Sequence, residues 1–198
     1  MGTDIRFFVE KIVDGQWESI KGNFNENDEI EDDYGDEIFF EREYAVYAML
    51  AGVRNSEGVD GPGTGAYYSP ISLPKGLPQN ASRYVATQYK RQNTDPYSAH
   101  DSSWLLLKEI LEYHWNRTEK VSAYVSKEHA KAFYENGAIP DPIDRKYKSN
   151  RILKLGYEKI EWNSNYAIIA GKFYSEIIPK LKEYGNPNEV RVIFWFSS

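Results

Sequence analysis

Residues 190–196 read Val-Arg-Val-Ile-Phe-Trp-Phe, and the reading of this stretch decides the fold. Six of its seven positions are β-branched or aromatic, and it contains no glycine or proline. Such a run, entered from Gly185-Asn186-Pro187, predicts a strand covered on both faces and therefore central in a sheet. Its partner is expected at the other end of the chain. Over residues 3–20, Ile5, Phe7, Val9 and Lys11 alternate with Arg6, Phe8 and Glu10, Asp14-Gly15 is a strong turn dipeptide, and residues 16–20 return. That pattern predicts a hairpin.

Helical signals lie between these strands. A helix is expected over 41–51, with Tyr44, Tyr47 or Ala48, and Ala51 on its buried face and Gly52 as its C-terminal cap. Lys75-Gly76-Leu77-Pro78 is a turn, and Asn80 is expected to cap a helix running to Tyr89. Trp104, Leu107, Leu111 and Trp115 fall at helical spacing, which predicts the strongest helix of the chain over 104–115. Asp101, Ser102 and Ser103 stand before it as three candidate N-caps. Ser126 caps a short helix over 127–135 stopped by Asn136-Gly137, and residues 139–150 are a surface excursion. A long helix is expected from Asn163 to Tyr184, kinked late by Pro179. Terminal strands with helices between them predict one α+β domain spanning 1–198, with a small antiparallel sheet packed by several helices.

Composition removes several function classes. The chain has no cysteine, which excludes disulfides, thiol nucleophiles and cysteine metal sites. No apolar run is long enough to span a bilayer, and the first residues carry acids where a signal peptide needs a basic flank, so a cytoplasmic protein with no membrane partner is expected. The net charge is −6, yet residues 26–37 hold eight acids and no base, leaving 24 bases against 22 acids elsewhere. The acidity belongs to one segment, expected to be a solvated loop. A calcium loop there would need glycine at its sixth position, which is Ile30. No basic stripe marks a nucleic-acid interface. Aromatics make up 15% of the chain, enough for either a packed core or a stacking pocket.

Chemical motifs are sparse. Gly58, Gly61, Gly63 and Gly65 suggest a phosphate loop, but Gly65-Ala66-Tyr67 lacks the Lys and Ser/Thr of a Walker A motif, and a helix rather than a strand precedes it. A hinge or lid is the plainer reading. His100, His114 and His129 do not fall at metal-ligand spacing, so no metal is expected. No cofactor is expected either. A triad could be composed from Ser102, His100 and an acid, without a nucleophile elbow to support it.

The opening Met1-Gly2-Thr3-Asp4-Ile5, with Val9-Glu10 and the Asp14-Gly15-Gln16-Trp17 turn, resembles an uncharacterised family of bacteriophages and prophages whose members open M-G-x-D-I-H. Ala51-Gly52-Val53-Arg54, Lys75-Gly76-Leu77-Pro78 and Ser102-Ser103-Trp104-Leu105 are similar to its A-G-V-R, R-G-L-P and S-W-L motifs. On this likeness residues 26–37 and 119–150 look like insertions. Arg6 stands where the family has histidine, and Ala99 to Trp104 departs from its H-S-H-S-W. The phage association implies host takeover or counter-defence, including sequestration of immune signalling nucleotides in an infected bacterial cytoplasm.

The expected site gathers Asp4 and Arg6 on the first strand, Arg54 and Asn55 after the first helix, Tyr68, and His100, Ser102, Ser103 and Trp104. Its ligand would be anionic and base-bearing, a cyclic ADP-ribose-type molecule or a cyclic oligonucleotide, bound without catalysis. Arg54 and Arg6 would fork onto phosphate, Ser102 and Ser103 would add hydroxyls, and Trp104 or Tyr68 would stack a base. Two other readings stand beside it. In one, His100 is the acid–base of a cleaving enzyme, with Asp4 or Asp101 as partner. In the other, the acidic segment mimics nucleic acid toward a host protein. Self-association is left open.

Overall fold

A computed structural model describes residues 2–22, 24–25, 27, 38–55, 66–93, 99–141, 144–146 and 150–197. The acidic segment, Asn27 apart, and the glycine-rich loop lie outside the described residues.

The hairpin forms as expected. Strand β1 (Asp4–Val13) returns as β2 (Gln16–Ser19). Asp14 and Gly15 take φ of 49° and 82°, the two left-handed conformations that a two-residue turn needs to follow the twist of its strands. The last strand, β6 (Val190–Ser197), pairs antiparallel with β1 from Asp4↔Ser197 to Lys11↔Val190. A further strand, β3 (His100–Leu106), pairs on its other side, giving the order β2-β1-β6-β3. The 190–196 stretch is central and buried throughout, which is why it shows no alternation.

Each face of this sheet has its own cover. Ile5, Phe7, Val9, Leu105, Val192, Phe194 and Phe196 line one face and join the main core, which includes α1 (Tyr44–Ala51), Tyr166, Phe173 and Leu181. Phe8, Ile193 and Trp195 line the other, under Tyr84 and Val85 of α2 (Arg83–Gln92). Gly52 ends α1 in a left-handed conformation, its N–H donating to the Ala48 carbonyl, as its position predicts.

Three sequence expectations are corrected. Residues 104–115 are not one helix: Trp104, Leu105 and Leu106 finish β3, and only Leu107–Glu112 (α3) is helical. The helical spacing of Trp104, Leu107, Leu111 and Trp115 is coincidental, and the pairing of Leu105 with Val192 on the central strand prevails over it. Asp101, Ser102 and Ser103 are therefore strand residues rather than caps. Nor does one helix run from Asn163 to Tyr184. Strand β4 (Thr118–Val125) pairs with β5 (Glu158–Asn165) in a second antiparallel sheet covered by α4 (Lys127–Asn136), with α5 (Asn150–Lys154) preceding β5. Asn165 then caps α6 (Tyr166–Ile169), Gly171 breaks the chain with φ 50°, and a π-helical turn at Phe173–Ile177 leads into α7 (Ile178–Glu183). Pro179, expected to kink the helix, follows directly on this π-helical turn, where Ile177 and Ile178 already hold helical backbone and the Ile178 N–H donates to the Phe173 carbonyl. Third, Ser82 rather than Asn80 caps α2, its hydroxyl accepting from the Val85 N–H at 3.3 Å.

Candidate functional site

Chain ends and loop ends meet at one end of the four-stranded sheet. Ile5, Phe196 and His100 are paired across β1, β6 and β3, and Asp4 lies opposite Ser197 just beyond them. The flanks of α1 close over this end. The Thr3 N–H donates to the Tyr44 hydroxyl at 3.2 Å, and Arg54 Nε donates to Thr3 Oγ1 at 2.6 Å, with its guanidinium 6.0 Å from the Tyr44 ring centre. Arg42, just before α1, grips Asp4 Oδ1 through Nε at 2.8 Å and Nη2 at 2.6 Å. Both of those side chains are about half exposed.

Two non-glycine residues here hold left-handed backbone. Arg54 has φ 56° and Asp101 has φ 51°. The conformation costs an L-residue roughly 1–2 kcal/mol, so each persists because the surrounding contacts fix it. Arg54 follows the glycine cap of α1, and its turn aims the side chain back at Thr3. Asp101 lies where the register shifts between His100 and Ser103, and its Oδ2 accepts from His100 Nδ1 at 2.8 Å. The imidazole faces Phe196, with ring centres 6.2 Å apart.

The other residues expected in the site separate from this group. Asn55 closes onto the Tyr68 backbone: Nδ2 donates to its carbonyl at 2.6 Å, and its N–H donates to Oδ1 at 2.8 Å. Tyr68 is only 1% exposed, with its ring against Tyr166, so its aromatic face is core rather than a stacking platform. Arg6 lies opposite Trp195, on the α2 face. Ser103 is buried, its hydroxyl accepting from the Lys75 N–H at 3.2 Å, and the Ser102 carbonyl accepts from the Gly76 N–H at 2.9 Å. Trp104 lies opposite Ile193 on the α2 face, with Lys75 Nζ 4.2 Å over its ring. Asp4, Arg54 and His100 thus share one end of the sheet, Asn55 buttresses the adjoining loop, and Trp104 belongs elsewhere.

Sequence reading passed over Arg42, Thr3 and a buried ion pair. Arg42 and Arg54 flank the same helix, a symmetry visible in the sequence. The ion pair joins Glu10 and Arg191, opposite each other on β1 and β6, at 2.6 Å with both side chains at most 3% exposed. Arg191 also donates to the Asn80 side chain and carbonyl and stacks 4.0 Å over Trp17, while Glu10 Oε1 accepts from the Ser82 N–H. Burial lowers the Arg191 pKa and the Glu10 charge opposes that shift. Every group in this cluster is matched by another of the fold, which marks it as a brace between the sheet and the start of α2.

Among the described residues, no group of three or more His, Asp or Glu side chains is placed to hold a metal ion, and no helix is long and apolar enough to cross a membrane. The chain is an α+β protein with a four-stranded and a two-stranded antiparallel sheet. No family model, curated protein or solved structure matches it.

Proposed function

We propose that the chain captures a small, phosphate-bearing ligand at the end of the sheet formed by Asp4, Arg54 and His100. The observation that carries this reading is Arg54. Its left-handed backbone and its Nε bond to the buried Thr3 fix a guanidinium at the rim of the core, so little side-chain freedom remains to be lost when it meets an anion. Planar guanidinium forks suit phosphate because two parallel donors meet two oxygens. Arg42 stands at the same end as a second, exposed cation already shared with a carboxylate. The likeness to phage and prophage proteins supplies the setting: withholding a cyclic ADP-ribose-type or cyclic oligonucleotide signal from the host in the bacterial cytoplasm.

Incubating the purified chain with a panel of cyclic and linear nucleotides, then heating it and analysing the released small molecules, tests the proposal. Recovery of a panel member in stoichiometric amount supports capture. Failure to retain any member, with the protein folded, sinks it.

A further inference from the structure

Building on that reading of the site, we infer that the His100–Asp101 pair makes it a phosphodiesterase for ribonucleotide ligands linked through a 3′-phosphate, using the ligand's own 2′-hydroxyl as nucleophile. In a regular strand, successive side chains point to opposite faces, so adjacent His and Asp residues cannot meet. Here they do. The register shift between His100 and Ser103 and the left-handed turn at Asp101 swing the carboxylate onto its neighbour's ring, 2.8 Å from Nδ1. Phe196 packs against the face of the same ring. An imidazole held by edge and by face has a defined orientation, and a carboxylate on Nδ1 keeps the proton there and makes Nε2 the basic nitrogen. About a third of the His100 side chain is exposed (33%), so a solute reaches it.

A ribonucleotide diester brings its nucleophile with it, and a tethered hydroxyl asks far less of a protein than a free water molecule does. Nε2 removes the proton from the 2′-hydroxyl, and the 2′-oxygen forms a bond to phosphorus. The bond from phosphorus to the leaving 5′-oxygen, in line with and opposite the attacking 2′-oxygen, breaks; that oxygen takes a proton from solvent water, and the imidazolium returns its own proton to solvent. The products are a 2′,3′-cyclic phosphate and a free 5′-hydroxyl, and no other reactant is consumed. Arg54 would face the charge that builds on the phosphoryl oxygens. His100 is the catalytic base, and Asp101 is a positioning residue.

Uridine 3′-(p-nitrophenyl phosphate) is the test probe, and thymidine 3′-(p-nitrophenyl phosphate), which lacks the 2′-hydroxyl, is its control. The full chain should release p-nitrophenolate from the first and not from the second. His100→Gln should lower kcat by about 10²–10⁴-fold, the usual range for losing a general base. Asp101→Asn should lower kcat with KM unchanged, a split that general loosening of the fold would not produce. Circular dichroism checks that both variants fold. Wild-type release no faster than buffer, equal turnover of the two probes, or full activity in His100→Gln would each overturn the inference. No turnover of the uridine probe by a protein that retains a member of the nucleotide panel would remove the chemistry and leave capture standing, whereas neither turnover of the probe nor retention of any panel member would remove both.

Discussion

Replacing Glu10 by Gln changes one atom and should be among the most damaging substitutions in the chain. Glu10 Oε2 accepts from Arg191 Nε, and Oε1 accepts from the Ser82 N–H, at 2.7 Å in each case. A glutamine has one acceptor oxygen, so its NH2 must face one of those donors. The Arg191 charge then remains buried without its counter-ion. Removing one partner of a buried pair costs about 3–5 kcal/mol. For a chain of this size each kcal/mol moves Tm by about 2–4 °C, so a fall of roughly 6–20 °C is expected by thermal unfolding. Arg191→Met added to Glu10→Gln removes the stranded charge, and the double variant should melt no lower than the single one despite losing the bonds to Asn80. A Glu10→Gln protein that melts within about 2 °C of wild type, or additive losses in the double variant, would refute the reasoning.

Other substitutions probe the site, the turn and the buried phenols. Arg54→Ala should cost roughly 1.5–3 kcal/mol of stability through the lost charged hydrogen bond to Thr3; it should also cost about 2–5 kcal/mol of affinity for the best nucleotide of the panel. Unchanged affinity in calorimetric titration would take Arg54 out of the site. Gly15→Ala meets no atom within 4 Å, so its cost is conformational only, about 1 kcal/mol at φ 82° in a denaturant melt. Burial raises the pKa of Tyr47 and Tyr113 above the usual phenol range. These two should stay protonated in the folded state after the exposed tyrosines ionise in an absorbance titration at alkaline pH. Because the folded state then holds protons that the unfolded state has released, the stability they contribute is complete below the ordinary phenol pKa and is lost as pH climbs past it. Phenolate signals that all appear together while the fold is intact would contradict this.

Local signals were legible where the backbone itself is constrained. Asp14-Gly15 could take two left-handed conformations, Gly52 and Gly137 could end helices, and the prediction followed from the residue types alone. The central strand was legible for a different reason: burial on both faces leaves an uninterrupted apolar run. Strand β3 was not, because its identity depends on a partner some ninety residues away. His-Asp-Ser-Ser-Trp-Leu-Leu carries polar residues where an edge strand meets the 75–76 backbone, and the bulge at Asp101 breaks the alternation a reader would look for. Leu106 and Leu107 then join strand and helix without a polar cap. The Glu109 carboxylate reaches back to accept the Leu106 N–H at 2.7 Å, the reciprocal half of a capping box without the cap itself.

The same contrast governs the site. Arg54 could be singled out because it stands two residues past a glycine-ended helix, with only Val53 between, a purely local cue. Its actual orientation comes from Thr3, fifty-one residues earlier, and Asp4 meets Arg42 across thirty-eight. Such pairings exist only once β1 has been placed against α1 by burial of Ile5 and Phe7. His100 and Asp101 make the point most sharply. Residue types alone left Asp4 and Asp101 as equal candidates to partner His100, since an extended backbone turns neighbouring side chains apart. One residue in a left-handed conformation, held in place by strand pairing on either side, brings Asp101 onto the ring. The chemistry proposed for this protein therefore rests on a backbone irregularity that residue types alone do not specify, and Asp101→Asn with the kcat and KM split is the substitution that reads it most directly.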